Sequence, residues 1–275
     1  MPLWMSNVEY VVLRMIRKFV FNRAMLDRLE RWLPYYRKTG ASAQGLPQSL
    51  AYGEHCLGLV LAHLSEAEQQ GLQGTVLEIG SGQYSLLGHL FSRRFGVNYI
   101  ALEPFAHASQ AEMQQFDQRV ARFAPNLAHA QVQRIRHWAS MAEASVDFSC
   151  SLAVLEHVYD LNELVAHYKR VLKPGAMMVH IVDYRDHFFK YPFHFYQFSP
   201  PFWQRMLDPG SMPRHRLSDH IAAFSQAGFR VEVLERNYLW EPFRRVQSNL
   251  HSSFAHYDEE TLATSGAVLK IYAPS

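Results

Sequence analysis

A glycine turn that follows a buried apolar run is the segment with the clearest chemical content. Gly80 and Gly82 stand directly after the run Val76-Leu77-Glu78-Ile79, and a helix-length segment begins near Tyr84. Glycine lets the backbone bend sharply and lets a ligand approach the main chain closely. In a doubly wound sheet such a turn lies at the carboxyl end of the first strand, where ligands bind. The pattern therefore predicts a ligand site that includes Ser81 between the two glycines.

Acidic residues near the turn indicate which ligand suits it. Glu103 ends the next apolar run, 21 residues after Gly82, where a carboxylate accepts hydrogen bonds from both hydroxyls of a ribose. Glu78 lies inside the first run, and its charge would repel a phosphate but suit a cationic or amino-bearing ligand. Ser85 occupies the position of the third glycine of the dinucleotide fingerprint. Together these residues disfavour a pyrophosphate site.

Strand and helix signals alternate around the turn. Apolar runs typical of short buried strands lie at 75–79, 98–102, 131–135, 146–152 and 176–182, with two more at 230–234 and 267–272. Helix-length segments lie at about 84–95, 106–123 and 160–172, and a further helix starts at 218 and stops at 228. This alternation predicts an α/β fold in which helices cover both faces of a parallel sheet.

Composition excludes several classes of protein. The chain has 275 residues, is 48% hydrophobic and carries a formal net charge of +2, which excludes a disordered chain and gives no sign of nucleic-acid binding. Two cysteines cannot form a disulfide framework or a cysteine-based zinc site and indicate a reducing compartment. The sequence contains neither a membrane-spanning run nor the order of segments typical of a signal peptide. We expect a cytoplasmic protein.

The first 70 residues form a predicted helical extension, and residues 1–40 carry eight basic and three acidic side chains. An apolar stripe at three- and four-residue spacing comprises Val12, Met15, Ile16, Phe19, Leu26, Leu29 and Leu33, and Arg14, Arg17, Lys18 and Arg28 fall on the opposite side. One interpretation is a helix that packs on the main domain with a solvated basic face. The alternative is a basic amphipathic helix that rests on an anionic membrane surface, such as the inner membrane.

Four motifs in order resemble those of the class I S-adenosylmethionine-dependent methyltransferases. They are Glu78-x-Gly80-x-Gly82 with Glu103, the segment 147–158, the turn 172–176 and the helix end 226–229. The resemblance covers about residues 70–275. It implies a Rossmann-like seven-stranded sheet of order 3-2-1-4-5-7-6 with the last strand antiparallel. Trp138-Ala139 departs from it, because the family often has Asp-Ala there.

The resemblance also implies S-adenosyl-L-methionine as the cofactor and assigns its binding residues. Glu78 and the backbone of Gly80, Ser81 and Gly82 would hold the methionine part, and Glu103 the ribose. Pro104, Phe105, Trp138 and Ala139 would border the adenine, and Leu152 would lie near the sulfonium. An O-methyltransferase also needs a base for the acceptor hydroxyl. His157 after the fourth strand is the first candidate, and Asp183 with His187 after the fifth is the second.

The segment 184–217 is predicted to be an aromatic insertion that covers the acceptor pocket of a methyltransferase domain spanning 71–275. Arg185, Tyr184 and His194 are its expected acceptor contacts, and Lys190, Arg205, Arg214 and Arg216 make it basic, which would suit an anionic acceptor. Its motifs resemble bacterial methyltransferases associated with surface-polysaccharide biosynthesis. His187 and His194, with Asp183 or Asp186, match no metal-ligand spacing, so we expect no metal.

The leading hypothesis is an O-methyltransferase that acts on a small-molecule or glycan-type acceptor. An NAD-dependent oxidoreductase on a similar sheet is an alternative, although Glu78 and the missing third glycine argue against it. A non-catalytic, membrane-associated partner protein that binds the cofactor is another. The sequence leaves the acceptor atom and the oligomeric state open.

Overall fold

One sheet of seven strands forms the centre of the molecule. A computed structural model describes residues 3–20, 45–105, 108–127, 130–188, 190–208, 210 and 212–275 of the chain. The strands are β1 (Thr75–Ile79), β2 (Asn98–Leu102), β3 (Val132–Ile135), β4 (Val146–Leu152), β5 (Leu172–Asp183), β6 (Arg230–Tyr238) and β7 (Thr264–Tyr272). Their order is β3-β2-β1-β4-β5-β7-β6, and only β7 pairs antiparallel with its neighbours. The predicted fold class and strand order are confirmed.

Helices cover both faces of this sheet. They are α1 (Leu3–Met15), α2 (Leu46–Leu61), α3 (Glu66–Gln70), α4 (Leu86–Phe95), α5 (Gln110–Phe123), α6 (Leu161–Val171), α7 (Leu217–Gln226), α8 (Trp240–Gln247) and α9 (Glu259–Ala263), with a helical turn at Pro200–Phe202 and π-helical turns at Ile16–Val20 and Trp203–Leu207. Successive side chains of a strand point to opposite faces. Val76 accordingly packs with α2 and α4, whereas Leu77 packs in a second core with α6 and α7.

The parallel strands bring the predicted functional segments to one edge. Strands β1 to β5 are parallel, so their carboxyl ends meet on the same side of the sheet. The chain order reverses between β1 and β4, and ligands bind at such a switch point. The glycine turn follows β1 there, the 3₁₀ turn Leu155–His157 follows β4, and His187 lies four residues after β5.

Helix α1 packs through Ser6, Tyr10 and Arg14, of which Arg14 was predicted to be solvated. Arg14 is 1% exposed, and its guanidinium pairs with the carboxylate of Asp186, which also accepts a hydrogen bond from the hydroxyl of Tyr10. Val12 and Phe19 of the predicted packing stripe are exposed instead. The predicted orientation is therefore wrong at these positions, because the spacing of apolar residues cannot reveal that Arg14 pairs with a buried carboxylate far along the chain.

The aromatic segment after β5 forms a third core with α1 and α8. Its buried members include Tyr191, Phe193, Phe195, Tyr196 and Trp203, together with Tyr10 and Phe243. Residues Leu26, Leu29, Leu33 and Arg28 of the predicted N-terminal stripe lie outside the described residues. None of the helices in the described ranges is long and apolar enough to cross a membrane.

Candidate active site

The turn after β1 requires glycine at Gly80 for two reasons. Its φ of +68° lies in the left-handed region, and a Cβ at this position would overlap Cγ2 of Val154. Gly82 has a similar φ of +66°, but a Cβ there would meet no atom of the described chain within 4 Å. The turn is therefore closed at Gly80 and open beside Gly82, where a ligand has room to approach the backbone.

Two backbone amides hold the Glu103 carboxylate next to the turn. The amide of Gly82 donates to Oε2 and that of Phe105 donates to Oε1, each at 3.0 Å. A carboxylate has about four acceptor positions, so both oxygens keep capacity for the hydroxyls of a ribose. The fold thus joins the two parts of the motif that the sequence assigned to one ligand.

Glu78 is buried in β1, one residue before the strand ends. Its Oε2 accepts a hydrogen bond from the Tyr99 hydroxyl on β2 at 3.0 Å. Burial raises the pKa of Glu78 to about 7, and the charge of Glu103 adds to the rise. A cationic amino group beside this carboxylate would favour its ionised form. The residues present therefore fit a ligand that carries a ribose at one end and an amino group at the other.

The residues expected around the adenine are the most exposed part of the site. Pro104 and Ala139 are exposed, as is Phe105, whereas Leu152 at the end of β4 is half-buried. The ring of Trp138 stacks on His167, with centroids 5.0 Å apart and an angle of 11° between the planes. The indole also contacts the ring of Tyr168, with centroids 5.3 Å apart, so the protein itself encloses part of this side chain.

Two histidines from separate segments meet beyond β4 and β5. Nε2 of His157 lies 2.9 Å from Nε2 of His187, and the ring centroids are 4.7 Å apart. Burial lowers the pKa of His187, and a charge on His157 would lower it further. This lowering favours the neutral form of the His187 imidazole. The sequence named both histidines as candidate bases but did not predict their contact.

Glu156 reaches the same place from the residue before His157. It is 3% exposed, and neither carboxylate oxygen has a hydrogen-bond partner among the residues that the structure describes. Burial raises the pKa of Glu156 to about 8, and the negative charge of the nearby Asp183 raises it further. The backbone amides of Glu156 and Asp183 partly oppose this rise, although neither meets the geometry of a hydrogen bond to the carboxylate. One ligand atom from each of Glu156, His157 and His187 lies within 4.8 Å of the others.

Asp183 has a different role from the one the sequence suggested. Its two carboxylate oxygens accept from Nε and Nη2 of Arg185 at 2.9 and 2.7 Å. Although burial alone would raise the pKa of Asp183, the bonds from Arg185 hold it below the usual value. The carboxylate is therefore a weak base, and the guanidinium expected to anchor an acceptor is already paired with it.

Two expected acceptor contacts are internal side chains. Tyr184 is 1% exposed, and its hydroxyl lies 2.9 Å from Nδ1 of His220. His194 is buried under α1, with Nε2 3.3 Å from Oγ of Ser6. Neither contributes to the surface around the histidine pair, so these two predictions are wrong. Their positions after β5 indicated proximity to the site but not the side on which each side chain packs.

The positive charges of the insertion serve the fold more than an anionic ligand. Arg214 is buried and donates to the carbonyls of Phe195 and Phe198, and Arg216 is buried and donates to Tyr184 O and Tyr196 Oη. Lys190 pairs with Glu9. The prediction that the insertion presents these charges to a carboxylated or phosphorylated acceptor is therefore wrong for Lys190, Arg214 and Arg216.

Sequence reasoning missed Glu156 and the Tyr99 bond to Glu78. The signal for Glu156 was its place beside His157 in the segment after the fourth strand. Tyr99 carried no signal, because β2 Tyr99 and β1 Glu78 are joined by strand pairing rather than by local sequence. Predicting either contact needs the register of the sheet.

Comparisons with known proteins agree with this geometry. A family profile described as a methyltransferase domain matches residues 17–239. The YcgJ protein of Bacillus subtilis is similar in structure, with a TM-score of 0.50 and 14% identity over 81% of this chain and 99% of that one. Phosphoethanolamine N-methyltransferase 2 of Haemonchus contortus, solved with S-adenosyl-L-methionine, also has a TM-score of 0.50 and 14% identity, covering 90% of this chain and 60% of that one. A search of curated proteins found no match.

The fold and the glycine turn define a Rossmann-like enzyme with a ligand site at the β1–β4 switch point. The chain belongs to the methyltransferase domain family and is a class I S-adenosylmethionine-dependent methyltransferase. S-adenosyl-L-methionine is its cofactor. Of the enzyme classes left open by the sequence, methyl transfer is thus the one that the family supports, rather than hydride transfer to NAD.

Proposed function

We propose that this enzyme methylates a hydroxyl group of a small-molecule or glycan-type acceptor. The observation that carries the proposal is the contact between His157 and His187 beyond β4 and β5. A neutral hydroxyl must lose its proton as it attacks a methyl group, so an O-methyltransferase benefits from a proton acceptor next to the reacting atoms. An amine acceptor that is already deprotonated has less need of one.

The cofactor would bind along the carboxyl edge of β1, β2 and β4. We assign Glu78, the Gly80–Ser81–Gly82 backbone and Glu103 to its amino-acid and ribose parts, for the charge and hydrogen-bonding reasons given above. Pro104, Phe105, Trp138 and Ala139 would border its adenine, and Leu152 its sulfonium, which supplies an activated methyl group. These residues would orient the methyl group towards the acceptor, and alignment of this kind can contribute several kcal/mol, about 7–11 in the best oriented systems.

His157 would take the acceptor proton, and its contact with His187 would share the resulting charge. Asp183 would assist indirectly, because its negative charge favours a protonated His187. Since Arg185 and Lys190 are paired with carboxylates of the protein and Arg214 and Arg216 are buried, we propose a neutral, hydroxyl-rich acceptor. The aromatic insertion at 184–217 would cover it. A sugar hydroxyl fits this description. The looser resemblance of the insertion to polysaccharide-associated methyltransferases is consistent with such an acceptor.

Replacement of the proposed base tests the assignment. His157→Ala should lower turnover by about 10²–10⁴-fold, the usual contribution of a general base, and leave the calorimetric affinity for S-adenosylhomocysteine within about twofold. His55→Ala is the matched control, because His55 is an exposed histidine on α2. The acceptor is found by incubating the full chain with methyl-labelled cofactor and a metabolite or glycan extract. Label on nitrogen or carbon, or full turnover by His157→Ala, would contradict the proposal.

We also propose that α1 contacts a membrane surface, which would place the enzyme in the cytoplasm at the inner membrane. Trp4 is 68% exposed and Val8 is 56% exposed on the outward side of this helix, and both cysteines of the chain are free thiols, as suits a reducing compartment. Flotation with anionic vesicles tests the contact. Trp4→Gln with Val8→Gln should reduce partitioning, whereas Val233→Gln on exposed β6 should not; equal partitioning of all variants would exclude it.

A further inference from the structure

The cluster of Glu156, His157 and His187 has the composition of a metal site. Two imidazole nitrogens and one carboxylate oxygen lie within 4.8 Å of one another beyond the ends of β4 and β5. The three residues come from two segments, 156–157 and 187, so the fold itself brings them together. The sequence spacing of His187 and His194 matched no metal-ligand pattern. In the structure, the histidine that contacts His187 is His157.

The buried carboxylate is the independent observation that points to a ligand. Only 3% of the surface of Glu156 is exposed to solvent, and both of its carboxylate oxygens lack a hydrogen-bond partner in the described chain. A buried carboxylate without partners is unfavourable, because it has lost the hydrogen bonds that water provides. A cation between Glu156 and the two imidazoles would supply the missing interaction to the carboxylate.

The distances require only small movements of the side chains. The two Nε2 atoms are 2.9 Å apart, whereas two nitrogens on one tetrahedral zinc ion, each at about 2.0–2.1 Å, would lie about 3.3 Å apart. The imidazoles would therefore separate by about 0.4 Å. A Glu156 carboxylate oxygen lies within 4.8 Å of one ring nitrogen of each histidine and would approach by up to about 1.5 Å, a shift within reach of side-chain rotation.

We propose that Glu156, His157 and His187 bind one divalent transition-metal ion of the zinc class. Imidazole is a ligand for zinc, cobalt and iron(II), whereas magnesium and calcium prefer all-oxygen sites. Three protein ligands leave at least one coordination position open. The binding of the ion stands on geometry alone and is independent of the acceptor.

The use of the ion in catalysis rests on the proposed function. An acceptor hydroxyl in the open position would lose its proton to solvent more easily, because coordination lowers the pKa of a bound hydroxyl. Its oxygen would then form the bond to the methyl carbon as the sulfur–methyl bond breaks. In enzyme that holds the ion, the imidazoles would be ligands and the ion would activate the hydroxyl in place of His157; His157 would act as the base only where the ion is absent.

Metal binding is tested on the full chain without cofactor or acceptor. Protein treated with EDTA and dialysed should take up one Zn²⁺ per chain by elemental analysis, and Co²⁺ should give the visible absorption of a four- or five-coordinate site. Glu156→Gln, His157→Gln and His187→Gln should each weaken Zn²⁺ affinity by at least about tenfold. His55→Gln, which replaces an exposed histidine of α2, is the control and should bind as the parent protein does.

The outcomes separate this inference from the proposed function. Absence of Zn²⁺ uptake, or uptake that survives all three substitutions, would overturn the metal site, since surface histidines would then be responsible. S-adenosylhomocysteine affinity and near-ultraviolet circular dichroism show whether each variant is folded, and Glu156→Gln keeps the shape of the buried side chain. Zn²⁺ uptake without any O-methylated product would leave the metal site standing and remove the proposed acceptor chemistry.

Discussion

The two halves of the ligand-binding edge differ in how completely their polar groups are satisfied. At the β1–β2 end, backbone amides already hold Glu103, and Tyr99 already donates to Glu78. At the β4–β5 end, the Glu156 carboxylate is buried without a partner in the described chain, and two imidazoles face each other. The polar groups of the first half are therefore already paired within the protein, whereas the second half contains a buried carboxylate that has no hydrogen-bond partner in the described chain.

The largest expected effect comes from a substitution in α1 that should disturb the β4–β5 half of the site and spare the β1–β2 half. Arg14→Met should lower the free energy of unfolding by about 3–5 kcal/mol, because it leaves the buried carboxylate of Asp186 without its cation. Asp186 adjoins His187, so the acceptor side should lose order while the glycine turn keeps its ligand affinity. Urea denaturation and hydrogen exchange measure both effects.

Arg17→Met is the control for that change, because Arg17 is an exposed arginine on the next turn of the N-terminal segment. It should alter stability by about 0.5 kcal/mol or less. Equal destabilisation by the two substitutions would show that the buried pair has no special importance.

The second effect concerns the cofactor half alone. Gly80→Ala adds a Cβ that overlaps Val154 and forces alanine into the left-handed region. We expect the free energy of unfolding to fall by about 2–4 kcal/mol, and the affinity for the cofactor to fall as well. Gly82→Ala carries the same backbone penalty of about 1–2 kcal/mol without the overlap. Denaturation and calorimetry with S-adenosylhomocysteine compare the pair. Equal losses would mean that the contact with Val154 is relieved by movement.

The third effect tests the ribose contact. Glu103→Ala should weaken S-adenosylhomocysteine binding by about 1–3 kcal/mol, since the ribose hydroxyls and the amide of Gly82 lose their acceptor. Glu143→Ala removes an exposed carboxylate elsewhere and should leave binding unchanged. Unaltered affinity in the Glu103 variant would refute the assignment.

The smallest effect is a pH dependence of cofactor binding. Burial raises the pKa of Glu78 to about 7, so its charge is lost as the pH falls below 7. An amino group of the ligand then loses its partner, and affinity should fall by up to about tenfold per pH unit below 7 and level off above it. Glu78→Gln should flatten this profile between pH 5.5 and 8. A profile of unchanged shape in the variant would assign the titration to another group.

A structural feature can be predicted from this sequence when the residues that form it are close together in the chain. The glycine turn and the strand before it were predictable because Glu78, Gly80 and Gly82 are adjacent and the turn chemistry is local. The contact between His157 and His187 was not, because the residues are 30 positions apart and their approach depends on the pairing of β4 with β5.

Errors in the sequence interpretation share one physical cause. Tyr184 and His194 were placed near the acceptor by their position after β5, but each packs inward against a partner distant in sequence. Arg14 was expected in solvent because charged side chains are rarely buried unless they are paired. Its partner lies 172 residues away, and no local pattern reveals it.

That separation also constrains how the chain matures on the ribosome. Residues 3–15 are synthesised before Asp186, which follows 172 residues after Arg14. At about 5–20 residues per second, the intervening chain takes on the order of ten seconds or more to make. During this interval the N-terminal segment has no docking site, so it is available to chaperones while the glycine turn and its strands can already form. The contact of α1 with the acceptor side can therefore form only after Asp186 has been synthesised.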